Sequence, residues 1–138
     1  MTLNYVLLLS LLLHANYLQA HSCFLPTLRY HVYVYNNLSP SKEQLRVHCA
    51  SQDDDLGYHN LTSNQNFHFT FCDNRFTTLF FCHLWWGKKN KSFEVFNTLW
   101  KKPPTHHSAY VAKNDGIYLS YNVPPQKLEK KFDWELGK

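Results

Sequence analysis

Residues 45–57 read L-R-V-H-C-A-S-Q-D-D-D-L-G, and this stretch decides the fold. Leu45, Val47 and Cys49 alternate with Arg46, His48 and Ala50. That period of two turns one side of a strand toward a core and the other toward solvent. The alternation stops at Ser51-Gln52, three carboxylates follow at Asp53, Asp54 and Asp55, and Leu56-Gly57 closes the segment. Charge followed by glycine predicts a turn there.

Working outward, residues 29–35 set Tyr30, Val32 and Val34 against His31, Tyr33 and Tyr35. Residues 66–71 repeat the pattern, with Phe67, Phe69 and Phe71 against His68 and Thr70, and three rings on one side read as core. Residues 77–86, T-T-L-F-F-C-H-L-W-W, are nearly all apolar, which predicts a central strand covered on both sides. A looser alternation covers 92–99, with Phe93, Val95 and Leu99 against Glu94 and Phe96. Residues 109–112 and 116–121 flank Lys113-Asn114-Asp115-Gly116, a hairpin signal because Asn and Gly tolerate positive φ. Connections are predicted at 36–42, 58–65, Asp73-Asn74, 87–90 and 101–107. Beyond Pro124-Pro125 the tail is charged, and Phe132 and Trp134 either dock it on the sheet or leave it frayed. No long helical period occurs in this body. The spacing predicts an all-β protein, an antiparallel β-sandwich of about seven strands.

The first 20 residues stand apart. Residues 6–13 are apolar except for Ser10, and Leu18-Gln19-Ala20 ends on a small side chain. This reads as a secretory signal peptide cleaved after Ala20, leaving one domain at 21–138. No later stretch is long enough to span a bilayer. The net charge of +4 is mildly basic, which suits an acidic wall or membrane surface and is no signature of nucleic-acid binding. All four cysteines, Cys23, Cys49, Cys72 and Cys82, follow residue 20. An even count in a small exported domain predicts two disulfides, with three pairings open.

The candidate chemistry is sparse. Asp53, Asp54 and Asp55 lack the D-x-D-x-D-G spacing of a calcium loop, so they read as a capped turn or a partner contact rather than a metal site. Lys88 and Lys89 lie in the predicted turn after Trp86 and form a second candidate binding segment. His31, His48, His68 and His83 fall within predicted strands. Acid–base catalysis would need two of them paired, and zinc would need several to converge. The sequence sets none beside a carboxylate, so they read as surface or half-buried strand residues. There is no G-x-S-x-G, and the cysteines read as oxidised. No catalytic residue, cofactor or metal is expected. Trp85 and Trp86 must point to opposite sides of their strand, and with Trp100 and Trp134 they raise a sugar-stacking option. Asn37, Asn60 and Asn90 begin N-x-S/T sequons, each placed in a predicted turn where a glycan would be solvated. Pro40 directly after Ser39 makes Asn37 the weakest acceptor, and Asn60 is the strongest.

These pieces, in their order, resemble the plant self-incompatibility S-protein homologues. The matching residues are His31-Val32-Tyr33-Val34 with Asn36-Asn37-Leu38, then residues 45–57, then Phe67-His68-Phe69. Thr78-Leu79-Phe80-Phe81-Cys82, Phe93-Glu94-Val95-Phe96 and Asp115-Gly116-Ile117-Tyr118 follow. The resemblance covers roughly residues 30–121 and implies a secreted β-sandwich with disulfides. One departure stands out. The family's third and fourth cysteines precede the Asp-Gly hairpin, whereas residues 103–110 hold none and Ser108 sits where one would fall. If the family's late pair bonds to itself, Cys49–Cys82 survives and Cys23–Cys72 is new; otherwise both early cysteines need new partners. The His-Gly-Leu-Trp-Pro type signature of incompatibility ribonucleases is missing. The resemblance implies a secreted, extracellular signalling ligand in pollen–pistil or other cell–cell recognition. Its partner would be a cell-surface receptor or another extracellular protein, and the ligand a monomer without enzyme activity. The alternatives are a defence protein that binds carbohydrate or membrane, and a secreted ribonuclease.

Overall fold

The computed structural model describes residues 2–21, 23, 28–73, 78–101 and 103–137. Helix α1 spans Thr2–His21, and its leucines between residues 3 and 13, Leu7 and Leu11 among them, stay exposed rather than entering the core. Among the described residues no helix is long and apolar enough to cross a membrane. Ten strands follow: β1 Arg29–Asn36, β2 Leu45–Ala50, β3 Asp55–Leu61, β4 Asn66–Cys72, β5 Leu79–Trp86, β6 Lys89–Asn97, β7 His107–Lys113, β8 Gly116–Ser120, β9 Glu129–Phe132 and β10 Glu135–Leu136. They form two five-stranded sheets, ordered β4-β1-β7-β8-β9 and β10-β6-β5-β2-β3.

The alternations read from the sequence set the two inner faces. Tyr30, Val32 and Val34 of β1 meet Leu45, Val47 and Cys49 of β2 in one buried cluster, with Leu84, Val95 and Ile117. Phe71 gathers the largest rings, with Phe80 at 4.5 Å and Phe96 at 4.8 Å between centroids. The Tyr110 hydroxyl donates to Val95 O at 3.1 Å across the core, and burial drives its pKa far above the usual phenol value. Trp86 packs against the core and Trp85 lies on the other side of β5, as alternation demands.

Three differences from the expected sandwich have physical causes. Every neighbouring pair is antiparallel except β1 and β7, which run parallel, from His31 opposite His107 to Asn36 opposite Ala112. A parallel pair needs a long crossover, here β2 to β6, and local patterning cannot announce it. The first half of the expected connection at 58–65 is instead part of strand β3, an edge strand whose only buried side chain is Leu61, so it carries no apolar alternation, while residues 62–65 connect β3 to β4 as expected. The tail docks as β9 and β10: Phe132 and Trp134 pack on the core, and Trp134 Nε1 donates to Lys113 O at 2.7 Å. Among the described residues, ten strands therefore replace about seven. The expected turn residue Asn74 and strand start Thr77 lie outside the described residues.

The hairpin at Asn114-Asp115 closes β7 onto β8 as expected. Gly116 is required there, since its φ is +155° and a Cβ would meet the backbone oxygen of Phe132 at 2.4 Å. Both disulfides are formed. Cys23–Cys72 ties the segment before β1 to the end of β4, with Cα atoms 5.4 Å apart. Cys49–Cys82 joins directly opposed residues of β2 and β5 with Cα atoms 4.0 Å apart, below the usual range of about 4.4–6.8 Å, because the pairing of neighbouring strands sets the separation. Buried Asn36 fastens one sheet to the other: Nδ2 donates to Leu61 O at 2.9 Å, and Oδ1 accepts from Leu38 N at 3.0 Å.

Candidate functional site

Outward-facing residues of β2, β3, β5 and β6 form a strip of rings and charges across the second sheet. Asp55 Oδ1 lies 2.7 Å from His48 Nε2 and accepts from Gly57 N at 2.9 Å. Those two contacts, the backbone donor first, hold the Asp55 carboxyl below its ordinary pKa. His48 stacks on Tyr58 at 4.3 Å, and the Arg46 guanidinium sits 4.2 Å over the Tyr58 ring and 5.6 Å from Trp85. Trp85 stacks on His83 at 3.8 Å, whose Nε2 lies 2.9 Å from Asn90 Oδ1. Tyr58 remains 56% exposed, so this strip is a surface rather than an interior network. Cation–π and stacking contacts of this kind hold long side chains in one geometry, at about 0.5–1 kcal/mol each where exposed.

The candidate binding residues fall at two ends of this sheet. Asp53 and Asp54 occupy the β2–β3 turn, closed by Ser51 N donating to Asp54 O at 2.7 Å and Asp54 N donating to Ser51 Oγ at 3.1 Å. Lys88 lies in the β5–β6 turn, and Lys89 is already strand, its Nζ 5.2 Å over Trp86. Phe81 opposes Ala50 beside the acidic turn, and Trp86 opposes Lys89. Five residues of β5 thus separate the two ends by about 17 Å. The turns do not converge, but the strip from Asp55 to Asn90 connects them.

The sequons occupy different ground from that expected. Asn60 and Asn90 lie in strands, not turns, because β3 and β6 extend further than their polar composition suggests. Asn60 opposes Arg46, Arg46 opposes Trp85, and Trp85 opposes Asn90, so both acceptors share one row across the strip. Asn37 is exposed just after β1, while its sequon partner Ser39 is held by Asn114 through two hydrogen bonds.

The first sheet carries a second cluster. His31 Nδ1 faces His68 Nε2 at 3.2 Å. Ring centroids 5.4 Å apart and planes 12° apart mean that the imidazoles meet edge to edge, as one hydrogen bond requires. His107 stacks on His31 at 4.7 Å, and Tyr33 stacks on His68 at 4.0 Å. Burial first, then the neighbouring imidazoles, lowers the pKa of both His31 and His68, with Arg29 adding to the effect on His31. Among the described residues, no group of three or more His, Cys, Asp or Glu is placed to hold a metal.

The sequence showed the outward positions of His31, His48 and His68 but not their partners. Only strand register brings His48 to Asp55, or His31 to His68 and His107. A cleft beside the acidic turn, lined by Asp53, Asp54, Leu56, Thr70 and Leu79 among others, gathers no histidine or cation among the described residues.

The fold and these surfaces define a small β-sandwich cross-linked by two disulfides, with its polar side chains organised on two sheet faces. Residues 31–134 match the family model of plant self-incompatibility protein S1, and the chain belongs to that family. It is 30% identical over 106 residues to S-protein homolog 8 of Arabidopsis thaliana, covering 74% of this chain and 79% of that one. S-protein homolog 11 of the same plant is 35% identical over 106 residues, at 72% and 74% coverage. A solved structure of SPH (self-incompatibility protein homologue) proteins, described as a widespread family of small, highly stable, secreted plant proteins, superposes with a TM-score of 0.64. It covers 81% of this chain and 99% of its own at 19% identity, which supports the fold.

Proposed function

We propose that this protein is a secreted extracellular ligand that acts in cell–cell recognition by binding, without catalysis. In this reading residues 1–20 are a signal peptide removed after Ala20, and the exported domain is a glycosylated monomer that meets a cell-surface receptor. The single observation that carries it is the strip from Asp55 through His48, Tyr58, Arg46, Trp85 and His83 to Asn90. Exposed aromatic and Arg side chains held in fixed geometry are what a protein partner uses as anchors. Asp53 and Asp54 at one end and Lys88 at the other supply the charged rim, while Lys89 lies over Trp86 on the other side of the sheet.

The test uses labelled protein and intact plant cells. Saturable surface binding is expected, with loss of at least about tenfold in affinity when R46A and Y58A are combined. Neutralising both ends, with D53N, D54N and K88Q, slows association. Unchanged binding in both variants refutes the assignment. A second reading, carbohydrate binding by the same strip, is favoured by the exposed Tyr58 ring beside Trp85; binding to a glycan array that Y58A abolishes would establish it instead.

A further inference from the structure

The opposite face of the molecule carries a different chemistry. Three neighbouring strands, β4, β1 and β7, bring His68, His31 and His107 side by side on the outer side of the first sheet, with His107 directly opposite His31 and His68 diagonal to it beside Tyr33. The groups facing this cluster are Arg29, Tyr33 and Tyr35 from β1, Thr70 from β4, and His106 just before β7. Arg29 reaches the cluster's edge, donating to Thr70 Oγ1 at 2.9 Å. None of these groups is a carboxylate, and among the described residues no carboxylate pairs with His31, His68 or His107. The second sheet differs, because its His48 has Asp55.

The edge-to-edge contact determines what protons do here. One imidazole donates an N–H and the other accepts it. A first proton added elsewhere on the pair keeps this bond and makes it charge-assisted. A second proton points two N–H groups at each other and abolishes it. As pH falls, the cluster therefore gains positive charge that no carboxylate paired with these histidines neutralises among the described residues. The face spans three strands, and its imidazoles stand 5.4 Å and 4.7 Å apart between centroids. The Tyr33–His68 and His31–His107 stacks use up ring faces, so ring edges with their N–H groups are what a ligand meets.

We propose that this face binds an extended carboxylate-bearing polysaccharide, and that it does so in its protonated state. A regular chain of carboxylates supplies the missing counter-charge at short, repeated intervals. Binding then takes up protons, and each proton taken up strengthens binding by as much as about tenfold per pH unit as pH falls through the histidine range. This surface is separate from the strip on the second sheet, so the two can succeed or fail independently.

The experiment measures binding of the protein, expressed from its full chain, to polygalacturonate at about pH 5 and about pH 7.5. Binding at least about tenfold tighter at the lower pH is expected, weakening with added salt. The triple variant H31Q, H68Q and H107Q should lose the pH dependence. H107Q alone leaves the hydrogen-bonded pair intact and should weaken binding at low pH by several-fold, which keeps the test decisive if the triple variant does not fold. Equal binding at both pH values, no binding at the lower one, or an unaltered pH profile in H107Q and any folded triple variant overturns the proposal. Equally tight binding to polyglutamate also overturns it, since an acidic protein would then be the partner.

Discussion

Asn36→Ala tests how the two sheets are fastened. The substitution removes two hydrogen bonds, leaving Leu61 O and Leu38 N without those partners in a region where Leu38 and Leu61 are buried. A buried polar group stranded in this way costs about 1–3 kcal/mol, so the pair costs about 2–6 kcal/mol, and about 3–4 kcal/mol after partial relaxation. Asn114→Ala is the matched control. It also deletes two hydrogen bonds, to Ser39 N and Ser39 Oγ, but at an exposed site where water replaces them. Its cost should be about 0.5–1 kcal/mol. Urea unfolding followed by tryptophan fluorescence separates the two. With a slope of about 2 kcal/mol per molar, Asn36→Ala should lower the midpoint by ~1.5–2 M and Asn114→Ala by less than ~0.5 M. Equal shifts would show that burial of the Asn36 amide does not govern its contribution, and the reasoning would fail.

Three further outcomes are expected. His31 and His68 have folded pKa values below their unfolded value of 6.5, so the unfolded chain binds more protons below that pH. Their stabilising contribution is complete above about pH 6.5 and declines as pH falls toward the folded values; melting temperature should drop over that window, and less steeply in H31Q with H68Q. Replacing Cys49 and Cys82 by Ala opens a loop of sequence separation 33 and should cost about 3–4 kcal/mol, read from denaturant unfolding of folded variant and parent. Finally, if Asn60 carries a glycan beside Arg46, N60Q should bind cells more tightly than the glycosylated parent, and equal affinity would place the contact elsewhere.

The inner faces were legible because core strands must alternate. His31–Tyr35 and Phe67–Phe71 announce which side chains are buried, and the paired apolar rows follow from them. Strand β3 was not legible. Its Tyr58-His59-Asn60 run looks like a polar loop, since an edge strand with one buried residue needs no apolar period. The sites were harder still. That residues 46 and 48 point outward is a local fact, whereas Arg46 meeting Trp85 depends on register between strands far apart in sequence. The cluster of His31, His68 and His107 needs two such registers, one antiparallel and one parallel.

The parallel pairing of β1 with β7 carries a consequence for biosynthesis. β1 is the earliest strand to leave the ribosome, yet it sits between β4 and β7 and stays one-sided until β7 has been translated. Throughout that interval the nascent chain presents an open strand edge, the kind of surface that invites mispairing or chaperone capture. Truncations ending before β7 should accordingly aggregate even though the whole second sheet's central strands are already present, and synthesis rate through that region becomes a determinant of yield.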